Sequence, residues 1–183
     1  MDNKSNNLSV KVDNTVVEVK TGDITLQDTD AIVNAANNQL SPGGGVSCAI
    51  HRAAGDELWK ESRALGGCST GDAKITSGYN LKAKYVIHTV GPVYSGVPED
   101  SRLLEASYRS CLNLAAEKKI RSISFPAIST GIFGYPLEEA ASIAIATIMD
   151  FIKDDSEIGQ VSMVLHSNES FEIHKKAVEE CLL

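Results

Sequence analysis

Strand-like and helix-like segments alternate along most of this 183-residue chain. The first two segments, "LSVKV" and "TVVEVKTGDI", alternate apolar and polar residues on either side of "DN", which predicts an opening β-hairpin. Later apolar runs such as "TDAIVNAAN" and "AKYVIHTVGP" are typical of buried strands, and segments with helical spacing separate them. This order predicts an α/β fold, a three-layer α/β/α domain. Its mixed central sheet is expected to be mostly parallel and to be antiparallel near the first strands.

The helical spacing begins at Val46 and continues to about Ala64, with a break near Gly55. Three further helices are predicted over residues 101–119, 136–154 and 171–183. Additional strands are predicted over residues 73–80, 120–128 and 158–167.

The length suits one domain with a full hydrophobic core, so we expect a flexible segment over residues 1–7 and a single domain over 8–183. The polar start "MDNKSNNLSV" lacks the apolar core of a signal peptide, and no apolar run approaches the roughly 20 residues that span a bilayer. These features predict a cytoplasmic protein that does not bind membranes. The four cysteines are scattered without a C-x-x-C pair, which indicates reduced thiols rather than a zinc site.

A run of three glycines lies in "SPGGGVSCAI", between a buried strand and a helix. Glycines at such a turn let backbone N–H groups approach a bound phosphate. The formal net charge is -7 and no basic stripe is visible, which argues against general nucleic-acid binding. An anion bound by this acidic chain must therefore be held by neutral backbone groups. The alternative for this loop alone is a plain tight connection.

A second loop, from Ser129 to Tyr135, has the same character. Ser129 and Thr130 supply hydroxyl groups, while Gly131 and Gly134 allow a ligand close to the backbone. Both loops are expected outside the carboxyl ends of strands, where α/β sheets bind ligands. Neither loop matches the P-loop or the Rossmann fingerprint. Two such loops at one sheet edge predict a clamp for a diphosphate.

Five motifs occur in a specific order: "GDI", "DAIVNAANN", "GGGV" leading into "AIHRAAG", "YVIHTVGP" and "PAISTGIFGYP". Together they resemble the macrodomain family, most closely its MacroD-type branch, from about residue 16 to the final helix. The resemblance implies a macrodomain fold that binds ADP-ribose. It also implies a hydrolase that removes mono-ADP-ribose from acidic side chains of proteins and deacetylates O-acetyl-ADP-ribose, without a metal or other cofactor.

The resemblance also implies which residues contact the ligand. Asp23 would accept a hydrogen bond from the adenine amino group beside the Ile24 backbone, and Phe171 would cover the adenine. The alternatives are a helix cap for Asp23 and a core position for Phe171. Asn34 is expected to hold the first loop, since a buried amide mostly satisfies backbone groups. The residues implied around the diphosphate and distal ribose are Asn37, Gly44, Gly45, Val46, Ser129, Thr130, Gly131, Ile132 and Phe133.

The chain departs from the MacroD-type pattern at Ser47 and Cys48, where that pattern has Asp-Gly. The resemblance assigns the aspartate to activating water or positioning the distal ribose, and a serine hydroxyl cannot act as a carboxylate base near neutral pH. Asn37 and Ser47 are the predicted catalytic residues. Two functions stay open. One is a hydrolase acting on mono-ADP-ribosylated proteins or O-acetyl-ADP-ribose; the other is a non-catalytic module that binds ADP-ribose. The intact Asn37 and second loop favour the enzyme.

No histidine is predicted to be catalytic. His51 and His88 are expected to be structural, with His88 a satisfied core residue in the strand "YVIHTV". His166 is expected near the adenine end of the site, and His174 is expected to be exposed.

Overall fold

The computed structural model describes residues 6–153 and 156–183. A seven-stranded sheet runs through it in the order β1-β2-β7-β6-β3-β5-β4. The strands are β1 (Asn7–Val12), β2 (Thr15–Thr21), β3 (Ala31–Ala35), β4 (Ala73–Ser77), β5 (Tyr85–Thr89), β6 (Ser122–Phe125) and β7 (Gln160–Leu165). The helices are α1 (Gly45–Ala54), α2 (Asp56–Ala64), α3 (Pro98–Glu117), α4 (Leu137–Ile152) and α5 (Asn168–Cys181), with a 3-10 turn over Ile24–Leu26.

The start of the chain forms the predicted hairpin. β1 pairs antiparallel with β2, with Val12 opposite Thr15. β1 begins at Asn7, so the last residue of the expected flexible segment 1–7 belongs to the sheet. Residues 1–5 of that segment lie outside the described residues, as does residue 154, the last residue of the predicted helix 136–154.

The sheet is mixed, as predicted, but it is antiparallel at both edges. Strands β2, β7, β6, β3 and β5 run parallel to one another. β4 then pairs antiparallel with β5, a second antiparallel edge beyond the one expected near the first strands. The connection over residues 78–84 explains the difference, because it is shorter than the dozen or more residues that a parallel crossover requires.

Helices cover both faces of the sheet and pack a hydrophobic cluster against each face. Along β3, Ala31 and Val33 pack with α3, α4 and α5, while Ile32 points to the opposite face and packs with Ile50 of α1 and Leu58 of α2. Successive residues of a strand face opposite sides of a sheet, so a strand buried on both faces reads as a continuous apolar run. This confirms the predicted three-layer architecture.

Two predictions about the helices have different outcomes. The break near Gly55 is confirmed, because Gly55 has φ +89° and separates α1 from α2. The expectation that His174 is exposed is wrong. His174 is 1% exposed and its Nδ1 lies 2.8 Å from the Ser170 carbonyl oxygen, because this face of α5 packs onto the sheet and α4.

Candidate functional site

A cavity of about 310 Å³ lies outside the carboxyl ends of β3 and β6. Its walls come from four separate parts of the chain. The end of β3 and the following turn supply residues 35–37, and the first glycine loop with the start of α1 supplies residues 43–47. The opposite wall is formed by Gly91 and by residues 127–129 and 131–133, which follow β6 and include most of the second glycine loop. The topology therefore brings both glycine loops to one cavity.

The lining is chemically neutral. Among the described residues that form the cavity wall, none carries an ionisable side chain. The polar groups of the lining residues are backbone amides, the Asn37 amide, and the Ser47 and Ser129 hydroxyls. The N-terminus of α1, which begins at Gly45, adds the partial positive charge of a helix dipole. This combination suits an anion held by backbone N–H groups.

The side chain of Asn37 shapes the first glycine loop. Its Oδ1 accepts hydrogen bonds from the N–H groups of Gln39 (3.2 Å) and Ser41 (3.1 Å), and its Nδ2 donates to the Ser41 carbonyl (3.1 Å). The expectation that Asn34 holds this loop is wrong. Asn34 is fully buried in β3, and its Nδ2 lies 3.1 Å from His88 Nδ1.

Ser47 fastens the glycine loop to the helix that follows it. Its side chain is in the first turn of α1 and only 3% of the residue is exposed. The Oγ atom accepts a hydrogen bond from the Gly43 N–H at 3.3 Å. The neighbouring Cys48 is half-buried and is not among the lining residues; the Arg52 guanidinium lies 3.6 Å from its Sγ.

Ser129 is the most strained residue of the cavity wall. It has φ +66°, a conformation that costs a non-glycine residue about 1–3 kcal/mol and that persists mainly where the surrounding structure imposes it. It is 6% exposed, and its Oγ has no hydrogen-bond partner within residues 6–153 and 156–183. This hydroxyl packs against Gly91, and a buried hydroxyl without a partner normally costs free energy.

The residues around the second glycine loop differ in how they relate to the cavity. Thr130 is not a lining residue, and its hydroxyl donates to the Ala127 carbonyl at 2.8 Å. Ile132 lines the cavity although 89% of it is exposed, so it stands at the mouth. Gly91 was not singled out in the sequence analysis, although it lies within the quoted motif "YVIHTVGP".

The residues implied for the adenine lie outside the cavity lining. Asp23 caps the 3-10 turn, where its Oδ1 accepts from the N–H of Thr25 at 2.8 Å and from its hydroxyl at 2.7 Å. Ile24, the first residue of this turn, is buried. Phe171 is 4% exposed and packs in the core under α5. Both alternatives named for Asp23 and Phe171 are thus observed in the structure, and their adenine contacts stay predictions.

The histidines near the cavity are structural. His88 is fully buried, with its Nε2 2.8 Å from Thr76 Oγ1, and burial lowers its pKa to about 3. Burial also lowers the pKa of His51, whose ring nitrogens have no hydrogen-bond partner among the described residues. Both rings are therefore neutral at physiological pH. His166 is exposed at the end of β7.

The described residues hold no group of three or more His, Cys, Asp or Glu side chains placed to bind a metal ion. All four cysteines are free thiols. No helix in the described part of the chain has the length and apolar character needed to cross a membrane.

Comparison with known sequences identifies relatives along most of the chain. Residues 33–144 match the sequence profile described as Macro domain. A macro domain-containing protein of Chlorobaculum tepidum is 50% identical over 167 residues, which cover 91% of this chain and 97% of that protein. The human ADP-ribose glycohydrolase MACROD2 is also 50% identical over 167 residues, which cover 90% of this chain but only 39% of the human protein.

Solved structures agree with the sequence relatives. A structure of the Oceanobacillus iheyensis macrodomain with ADP has a TM-score of 0.94 and 40% identity, and the match covers 97% of each chain. The Trypanosoma brucei macrodomain in complex with ADP-ribose has a TM-score of 0.84 and 39% identity, covering 88% of this chain and 68% of that one. The chain therefore belongs to the macro domain family, and it is related to the MacroD ADP-ribose glycohydrolases, as its motifs predicted.

Proposed function

We propose that this protein binds ADP-ribose in the cavity between its two glycine loops. We further propose that it hydrolyses mono-ADP-ribose from acidic side chains of proteins, deacetylates O-acetyl-ADP-ribose, or does both. The observation that carries the proposal is the cavity itself. Two glycine loops face each other at the carboxyl edge of the sheet and offer backbone donors without a charged side chain. A diphosphate linked to a ribose fits that chemistry.

The size of the cavity indicates which part of the ligand it would hold. Its volume of about 310 Å³ lies at the small end of ligand pockets, which range over roughly 300–1,000 Å³. The diphosphate and distal ribose would occupy it, leaving the adenine outside the lining. Gly44, Gly45 and Val46 would face the diphosphate from one side and residues 129–133 from the other.

The adenine would lie beside the paired ends of β2 and β7. These neighbouring strands run parallel, and the Gly22 N–H donates to the Leu165 carbonyl at 2.8 Å. Asp23 follows β2 and Phe171 lies in the first turn of α5 after β7, so both belong to the same edge of the sheet. Asp23 uses Oδ1 for its cap, which leaves Oδ2 to accept from the adenine amino group. Phe171 is buried, so stacking on the adenine would require its ring to move.

Hydrolysis would proceed without a protein carboxylate in the cavity. Asn37 and Ser47 are the proposed catalytic residues, and Ser47 would orient the distal ribose rather than act as a base. An attacking water would then be positioned by the ligand's own phosphate and the loop amides. A positioned water without a strong base gives only part of the usual acceleration, so turnover should be slow.

A second candidate function is a non-catalytic module that binds free or protein-linked ADP-ribose. The neutral lining favours it, because Ser47 stands where the MacroD-type pattern has an aspartate. Calorimetry with ADP-ribose and a turnover assay on a mono-ADP-ribosylated glutamate peptide separate the two functions. Binding with release of ADP-ribose supports the hydrolase, and binding without release supports the module. No saturable binding at millimolar ADP-ribose would overturn both.

A further inference from the structure

A buried carboxylate holds the loop that connects β5 to α3. Asp100 is 5% exposed, and its Oδ2 accepts hydrogen bonds from the N–H groups of Ser95 (2.7 Å), Gly96 (2.8 Å) and Val97 (3.3 Å). The Ser95 hydroxyl lies 3.1 Å from each carboxylate oxygen. The Ser95 N–H, followed by these other donors, keeps the pKa of Asp100 below its ordinary value, so the charged form is favoured.

The same loop contacts the second glycine loop. The Tyr94 N–H donates to the Phe133 carbonyl at 2.8 Å, and the Tyr94 and Tyr135 rings lie 4.9 Å apart between centroids. Tyr135 in turn donates its N–H to the Ser129 carbonyl at 2.9 Å. Phe133 and Ser129 both line the cavity. A continuous set of contacts therefore runs from the Asp100 carboxylate to the cavity wall.

The other end of the loop reaches the cavity directly. Gly91 lines it and packs against Ser129. Residues 91–97 thus stand behind the second glycine loop, touching it at Gly91 and at Tyr94. Among the described residues, the backbone N–H groups of 95, 96 and 97 bond only to Asp100, so this side chain holds the outer end of the segment.

We propose that Asp100 is a positioning residue for the second glycine loop. Its carboxylate fixes residues 95–97, and through Tyr94 it sets where Phe133 and Ser129 stand in the cavity wall. The effect on ADP-ribose rests on the function proposed above, whereas the effect on the loop does not. Asp100 does not line the cavity, so it acts through these neighbours rather than by contact with a ligand.

Asp30 offers a matched control. Its Oδ2 accepts from the N–H groups of Arg121 (2.9 Å) and Ser122 (3.1 Å), so it also holds backbone amides with a carboxylate. Asp30 directly precedes β3, and its partners lie at the start of β6. Both positions are at the opposite edge of the sheet from the cavity. Asp30→Ala should therefore loosen a similar contact without moving the second glycine loop.

The first experiment is native-state hydrogen exchange on the ligand-free protein. Asp100→Ala should speed exchange of the amides of Tyr94, Gly134 and Tyr135 by about tenfold or more, since hydrogen bonds to a charged group contribute at least that factor. Asp30→Ala should leave those three amides unchanged. The proposal is overturned if Asp100→Ala leaves them unchanged, or if both variants speed them equally. If the alanine variant does not fold, Asp100→Asn replaces it; this variant keeps an acceptor oxygen but loses the charge, so the same three amides should exchange faster by a smaller factor than in the alanine variant.

The second experiment is calorimetry with ADP-ribose and with AMP. The second glycine loop would face the diphosphate and distal ribose, so Asp100→Ala should weaken ADP-ribose by about tenfold and AMP much less. The parent protein separates the two proposals. If the parent does not bind ADP-ribose, the proposed function fails, and hydrogen exchange still decides the role of Asp100. If the parent binds and Asp100→Ala binds equally well, the positioning role is overturned.

Discussion

A β-carbon built on Gly91 would lie 2.2 Å from the Ser129 Oγ and 2.5 Å from the Ile128 Cγ2. No real side chain tolerates such distances, so the loop after β5 and the second glycine loop can meet only because residue 91 is glycine. Ser129 stands on the other side of this contact in a left-handed backbone conformation. The cavity wall is therefore held by a close approach between two segments far apart in the sequence.

Gly91→Ala should displace the second glycine loop. We expect a loss of unfolding free energy of about 1–3 kcal/mol, the usual result of overpacking, and a clear loss of ADP-ribose affinity in the folded fraction. Gly159→Ala is a matched control, because a β-carbon there would meet only the Arg121 carbonyl oxygen at 3.7 Å. Urea unfolding and calorimetry measure both effects. A Gly91→Ala protein that binds like the parent would show that the wall adapts to the extra carbon.

Two substitutions at Asp23 separate its cap from its proposed adenine contact. Asp23→Ala removes both, and loss of the cap should cost about 0.5–2 kcal/mol of stability. Asp23→Asn keeps an oxygen for the Thr25 N–H but replaces the other oxygen with an amide donor, which would face the adenine amino group. We expect Asn to retain stability and to weaken ADP-ribose by about tenfold or more, as for loss of a hydrogen bond to a charged group. If Asp23→Asn binds ADP-ribose with full affinity, Asp23 acts only as the cap of the 3-10 turn.

Restoring the acid of the MacroD-type pattern should increase turnover. An aspartate at position 47 can still accept the Gly43 N–H, so Ser47→Asp with Cys48→Gly should fold like the parent. A positioned acid or base contributes about 10²–10⁴-fold, and one grafted onto an unadapted loop should recover roughly tenfold. Cys48→Gly alone controls for the change in bulk. If the double variant binds ADP-ribose but turns over no faster than the parent, catalysis does not depend on position 47.

Acidification should destabilise the protein below about pH 6.5, the ordinary pKa of histidine. Burial lowers the pKa of His88 to about 3 and also lowers those of His51 and His174. A depressed folded-state pKa means that the unfolded chain binds the proton first. The stability is therefore complete above pH 6.5 and is lost as the pH falls towards the folded-state value, by about 1.4 kcal/mol per pH unit for His88. His51 and His174 change the stability in the same direction.

Urea unfolding between pH 7 and pH 4.5 measures this slope. Asp100 does not contribute to the slope between pH 7 and pH 4.5. Its pKa is lowered in the folded protein, so the stability that it contributes is lost only below the ordinary pKa of a carboxyl group. His88→Gln removes the ring that pairs with Thr76, so the unfolding free energy should fall less steeply with decreasing pH. An unchanged unfolding free energy down to pH 4.5 would show that these rings are protonated without cost.

Local sequence patterns determined most of the secondary structure. The turn "DN" between alternating strands predicted the hairpin, and the break at Gly55 predicted two helices rather than one. These features depend on residues that are close together in the sequence, so local patterns are enough to predict them. The motifs likewise identified the family, because they preserve the glycines where a ligand must approach the backbone.

Contacts between distant segments were decided only by the tertiary structure. The burial of His174 depends on which face of α5 meets the sheet, and the antiparallel pairing of β4 depends on how its short connection turns. The approach of Gly91 to Ser129, and the path from Asp100 through Tyr94 to Phe133, join residues whose spacing along the chain carries no periodic signal. Sequence patterns therefore predicted the two glycine loops, and hydrogen bonds and close packing between separate segments decided how the loops are held around one cavity.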